Sequence, residues 1–130
     1  MVVVQRDHPL AGLDIIHLRD LEGYTVLVQG PHLKIYSRLC KLVENQHINA
    51  NVSCVHEALM QFSVIDENPK TVCISTKRVA QGMISGNMVC IPFDATEMAW
   101  DLTLIQLKGA ELSPMGEEFR KMLLSLSGRK

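Results

Sequence analysis

This sequence carries almost no surplus of charge of either sign. Thirteen Lys and Arg against fourteen Asp and Glu leave a formal net charge of -1. That balance removes any general electrostatic reason to bind nucleic acid or an acidic membrane surface. Nor is there an apolar run near the roughly 20 residues needed to span a bilayer, and Met1-Val-Val-Val is far too short for a signal h-region. No Cys-x-x-Cys pair occurs. Cys40, Cys54, Cys73 and Cys90 are widely and irregularly spaced, and none of the five histidines stands at ligand spacing from one of them. No metal site and no cofactor are therefore expected. The thiols read as free, small hydrophobes of a reducing compartment, and the protein as cytoplasmic. A P-loop, a nucleophile elbow and a Gly-x-Gly-x-x-Gly fingerprint are all missing, so no catalytic residue is expected.

What is present is an ordered globular composition, 47% hydrophobic and 21% charged. Strand and helix signals alternate along the chain. Tyr24 to Gln29 is an apolar β-branched run stopped by Gly30-Pro31. From His32 to Asn45, Leu33, Tyr36, Leu39, Cys40 and Val43 recur at three and four, which predicts an amphipathic helix. Ile48 to Val55 alternates as a strand should, and Leu59, Phe62 and Ile65 mark a short helix closed by Asn68-Pro69. "KTVCIS" is a short buried strand, "TKRVAQGM" a brief helix ending near Gly82, and "MVCIPF" a strand after a Gly86-Asn87 turn. Glu97 to Lys108 alternates over a longer stretch. Ser113-Pro114 is an N-cap with proline at the first helical position, and Glu117 and Glu118 suit the positive end of the helix dipole. Met115, Phe119, Met122, Leu123 and Leu126 form that helix's apolar face. Short strands alternating with helices imply an α/β fold, a mostly parallel sheet with helices on both faces.

Three pieces in order, "VVVQRDHPLAGLDIIHLRDLEGYTVLV", "CVHEALMQFSV" and "LSPMGEEFRKML", resemble the effector-binding domain of the LysR-type transcriptional regulators. The likeness rests on strand Val2 to Val4, the His8 to Ala11 segment, the Leu18 to Leu21 turn, Trp100 on a return strand and the final helix, and it covers nearly the whole chain. It implies a periplasmic-binding-protein-like, type II architecture, two lobes joined by crossover strands. On that mapping residues 1–10 are the outgoing crossover strand and hinge, and 11–99 the second lobe. Residues 100–130 are the return strand and a C-terminal helix belonging to the first lobe. The rest of that lobe and the N-terminal winged helix-turn-helix that binds DNA lie outside this sequence, which reads as a fragment. One departure stands out: where members often carry Gly-x-Gly-x-x-x-x-Pro, this chain has "ENPKTVCIST", with Thr76 in the proline's place.

In open α/β sheets a ligand lies at the carboxyl ends of the strands, near the switch in strand order. "QGPHLKIYS" is the first candidate, because Gly30 permits close approach and Pro31 fixes the turn. The family's effector contacts fall in this loop, which the resemblance transfers to Gly30, Pro31 and His32. A plain turn and cap is the competing reading. Ser53 and His56 in "SCVHEA" are the second candidate, against a solvated cap for the histidine. The third is Ser75 and Thr76, opening the helix that holds Lys77 and Arg78; those two bases read as surface charges or as partners of an anionic effector. Trp100 reads as core.

The resemblance implies a sensory module that binds a small anionic metabolite and controls transcription allosterically. Its partners would be a second copy or more, as homodimer or homotetramer, and DNA only through the absent domain. Pairing would involve His32 to Asn45 and Ile48 to Val55, with Ile35, Leu42 and Leu39 supplying an interfacial stripe. A solute-binding protein or an enzyme lobe of the same architecture is the alternative.

Overall fold

The computed structural model describes residues 1–84, 86–99 and 103–127, apart from the side chains of Ala58, Leu59, Met83, Glu97 and Ser127. The expectations for Trp100 and for the Leu59 side chain fall outside these. The chain divides into two compact units, Met1–Trp100 and Asp101–Lys130.

The first unit is built on a five-stranded sheet of order β4-β3-β5-β1-β6. Its strands are β1 (Val2–Gln5), β3 (Thr25–Gln29), β4 (Asn51–Val55), β5 (Thr71–Ile74) and β6 (Met88–Ile91). Strands β3, β4 and β5 are parallel, while β1 lies between β5 and β6 and runs antiparallel to both. Two short strands, β2 (Ile16–His17) and β7 (Phe93–Asp94), pair in parallel as a separate ribbon. "MVCIPF" is thus two strands and not one, because Pro92 has no N–H to continue a ladder.

Strands this apolar must bury both faces, and they do. Val2, Val4, Val26, Val28, Val72, Ile74 and Ile91 point to one side. There they meet Ile35, Leu39 and Val43 of helix α1 (Lys34–Asn45) and 3-10 turns at Pro9–Gly12 and Leu18–Leu21. Val3, Leu27, Cys73 and Met88 point to the other. They meet Phe62 and Ile65 of α2 (Ala58–Glu67) and Ala80 of α3 (Lys77–Met83). Burial pushes the Cys73 thiol up to about 12, as expected of a packed hydrophobe. Cys40, Cys54 and Cys90 are only half-buried.

Gln5, at the end of β1, reaches the far end of α2. Its amide nitrogen donates to the carbonyls of Ile65 (2.9 Å) and Asp66 (3.0 Å) in the last turn of the helix, where Ile65 also accepts from the Asn68 amide at 3.3 Å. This ties the central antiparallel strand to the helix packed over it.

Helix α1 corrects two expectations. It starts at Lys34, so Leu33 is a flanking residue outside the helical period. The stripe that meets the sheet is Ile35, Leu39 and Val43, with Tyr36 and Leu42 packed against its edges. Ile35 and Leu39 are therefore core residues and are not free to form a second, interfacial stripe. The Ile48 to Val55 strand is likewise shorter at its start, since Ile48 is buried before β4 begins.

The second unit holds α4 (Pro114–Ser127), capped as expected by the Ser113 hydroxyl, which accepts from the Gly116 amide at 3.2 Å. The alternation from Glu97 to Lys108 does not make a described strand. Thr96–Met98 is a 3-10 turn, and residues 103–107 have no regular structure. On α4 Met115, Phe119, Met122 and Leu126 are exposed, and only Leu123 of the expected stripe is half-buried.

Candidate functional site

Three parallel strands end on the same edge of the sheet, and each leads into a loop and a helix. After β4 the path crosses β3 to reach β5, so the order reverses around β3. That reversal opens a place for a ligand at the carboxyl ends.

The edge beyond β5 contains a crevice of about 280 Å³. It is lined by Met1, Ile74, Ser75, Thr76, Lys77, Phe93, Ala95, Met98 and Ala99. Four pieces of chain build it: the start of β1, the end of β5, the β7 ribbon and the 3-10 turn after it. The β1–β5 pairing fixes the floor. Met1 and Ser75 exchange main-chain bonds, each nitrogen donating to the other's carbonyl at 3.0 Å. Thr76 caps α3, its hydroxyl oxygen accepting from the Val79 amide at 3.4 Å. Beside the crevice the Asp94 carboxylate lies 3.1 Å from His17 Nδ1. The turn after Phe93 is held to α1 by Arg38, whose guanidinium donates to the Ala99 carbonyl at 3.0 Å.

Of the residues singled out from sequence, Ser75 and Thr76 line this crevice. Gly30, Pro31 and His32 lie on the same edge at the end of β3 and do not line it. Gly30 has φ +56°, a left-handed conformation that favours glycine. Its amide donates to the Val55 carbonyl at 2.7 Å, and its carbonyl accepts from Leu33 at 3.2 Å. Both main-chain groups are thus used within the fold, and what this loop can offer a ligand comes from the residues after it, at a helix start with no side-chain cap. His56 is exposed just past β4. Ser53 sits in mid-strand opposite Leu27, two residues short of the edge.

Sequence reasoning missed Phe93, Ala95, Met98 and Ala99. They reach the crevice only because the ribbon and its turn fold back over the end of β5. The proline inside "MVCIPF" was the one sign that the chain changes direction there.

At the head of the Pro9–Gly12 3-10 turn, His8 is buried. Its Nδ1 accepts from the Leu10 amide at 3.1 Å, its ring lies 4.8 Å from that of Tyr24, and its Nε2 has no partner. Burial pushes its pKa down, opposed by nearby Asp7. It is a neutral capping residue.

A sheet of this order, with one antiparallel strand between its last two parallel members and a crevice at the strand ends, defines a binding domain of the type II periplasmic-binding-protein-like class. The chain belongs to the LysR substrate-binding domain family, whose model matches residues 1–127. Three solved structures share the fold. The regulatory domain of CcmR from Synechocystis PCC6803, in complex with 2-PG, matches with a TM-score of 0.71 at 15% identity. That match covers 98% of this chain and 62% of the other. The effector-binding domain of QuiR, in complex with shikimate, matches with a TM-score of 0.65 at 19% identity, covering 96% and 59%. HinK, a LysR family transcriptional regulator from Pseudomonas aeruginosa, matches with a TM-score of 0.68 at 14% identity, covering 98% and 44%. The chain thus spans less than two thirds of each of these. No curated protein matches it by sequence.

Proposed function

We propose that this chain is the effector-sensing part of a LysR-type transcriptional regulator. It binds a small anionic metabolite at the carboxyl edge of its sheet and passes occupancy to a DNA-bound oligomer. The observation that carries this reading is the crevice at the end of β5, in a chain matched by the LysR substrate-binding model over residues 1–127. The 2-PG and shikimate named for CcmR and QuiR support a small-metabolite ligand.

On this reading residues 1–10 are the crossover and hinge, 11–99 one lobe, and 100–130 the return segment and a helix of the other. Ser75 and Thr76 contact the effector directly, while Gly30, Pro31, His32, Ser53 and His56 shape the neighbouring edge. The work is allosteric and non-catalytic, and DNA is reached only through a winged helix-turn-helix elsewhere in the regulator. A homodimer or homotetramer in the cytoplasm is the working form. No described helix is long and apolar enough to cross a membrane, which fits that placement. Pairing through α1 would have to use its outer face, since Ile35 and Leu39 are committed to the core.

The test is to join the chain to the winged helix-turn-helix encoded nearest upstream and to follow operator binding while small carboxylates are titrated. Operator affinity or footprint that changes with a carboxylate supports the reading. The discovery of an adjacent permease gene pair and an export signal in place of such a domain would overturn it in favour of a solute-binding protein.

A further inference from the structure

The crevice at the end of β5 divides sharply by chemistry. Ile74, Phe93, Ala95, Met98 and Ala99 make an apolar wall, and Ser75, Thr76 and Lys77 make a short polar edge. Lys77 is the one charged side chain among the residues lining it, beside the Met1 amino group, whose nitrogen donates to the Ser75 carbonyl at 3.0 Å. The nearby Asp94 carboxylate is engaged with His17 and does not line the crevice. At Thr76 the hydroxyl oxygen already accepts from Val79, so its proton is free to donate outward. Ser75 has its main chain tied to Met1, which leaves its hydroxyl for a ligand. The polar edge is therefore a donor set for one anionic group: two hydroxyls and one ammonium.

The wall sets the rest. It offers no side-chain donor or acceptor, so a ligand hydroxyl pressed against it loses water without replacement, at about 1–3 kcal/mol each. A second anionic group would meet no second charged side chain, and the Met1 amino group is already donating to the Ser75 carbonyl. A volume of about 280 Å³ lies just below the usual range for drug-sized ligands and suits a small metabolite. Resting on the effector-site reading above, we propose that the ligand of this crevice is a small monocarboxylate with an apolar body, an arylalkanoate or a branched aliphatic acid. Its carboxylate meets Ser75, Thr76 and Lys77, and its body lies on Phe93 and Met98. Polyhydroxylated acids and phosphate esters are disfavoured by the same wall.

Calorimetric titration of the full chain with phenylacetate, its neutral isostere phenylacetamide, shikimate and inorganic phosphate tests this. Phenylacetate should bind, and phenylacetamide should bind roughly tenfold more weakly, the scale of a charge-assisted contact. Lys77→Gln, at an exposed position, should abolish that discrimination. Ala99→Phe, also at an exposed position, should block phenylacetate by filling the wall side, with an unchanged circular dichroism spectrum as the folding control. If shikimate or phosphate binds with Lys77 dependence while phenylacetate does not, the apolar-body assignment is overturned and the effector site stands. If none of the four binds at millimolar concentration, the monocarboxylate assignment is overturned, and the effector-site reading is decided separately by the operator titration.

Discussion

The two units of this chain use apolar residues in opposite ways. In Met1–Trp100 the strands and helices bury nearly every aliphatic side chain that their period aims inward, with Val2, Ile16, Leu21, Val26 and Leu39 fully enclosed. In Asp101–Lys130 residues of the same kind stand in water: Ile105 is 85% exposed, Met115 82% and Phe119 61%. Composition does not separate the units, but topology does. The first closes a sheet between two layers of helix, whereas the described part of the second has one helix and a segment without regular structure. An apolar helical stripe has its stabilising effect only against a partner surface.

The sharpest way to break this contrast is a pair of truncations. Leu39→Ala removes a fully buried side chain from α1, and urea unfolding should show a loss of about 2–5 kcal/mol. Phe119→Ala on α4 should change stability by no more than about 0.5 kcal/mol. Comparable losses at the two positions would mean that α4 is packed in solution.

Gly30→Val comes next. A β-branched residue forced to φ +56°, with its Cβ 3.4 Å from Leu33 Cγ, carries strain of about 1–3 kcal/mol. In the complete regulator the variant should lose effector response and keep operator binding. A normal response at normal effector concentration would reduce this loop to a turn. Gln5→Leu should cost about 1–3 kcal/mol by taking a donor from the Ile65 carbonyl, which keeps the Asn68 amide, and from the Asp66 carbonyl, read again from urea unfolding. An unchanged midpoint would show that water serves those carbonyls equally well.

The smallest effect is a pH dependence. Burial holds the His8 pKa below its ordinary 6.5 in the folded protein. The unfolded chain therefore binds the proton more readily, and the contribution of neutral His8 is present above that value and lost as pH falls below it. Protonation would also place a hydrogen on Nδ1, the acceptor for Leu10. His8→Asn keeps an acceptor and removes the titration, so its melting temperature should fall less than that of the wild type between pH 7 and pH 5. Equal falls would assign the acid sensitivity to other groups.

Most of the first unit was legible in sequence because its strands are short apolar runs bounded by Gly, Pro and Asn, and because its resemblance to a regulator domain spans the chain. The facing of α1 was not. Leu33, Tyr36, Leu39, Cys40 and Val43 satisfy helical spacing as well as Ile35, Leu39 and Val43 do, and only the start at Lys34 decides between them. Ser75 and Thr76 could be found at the site because they are polar residues directly after a buried strand. Phe93 and Met98 could not, since they lie some twenty residues further on in the chain and are delivered by a ribbon that pairs with Ile16 and His17. Among the described residues from Glu97 to Lys108 the alternation makes no strand, because alternation marks a strand only where a neighbouring strand supplies hydrogen bonds.

Amide hydrogen exchange of the full chain, with and without saturating phenylacetate, tests most directly where the sensing site lies. The account predicts added protection confined to residues 74–79 and 92–99, the two sides of the crevice, with α4 unchanged. Added protection along 103–127, or none at either side of the crevice, would contradict it.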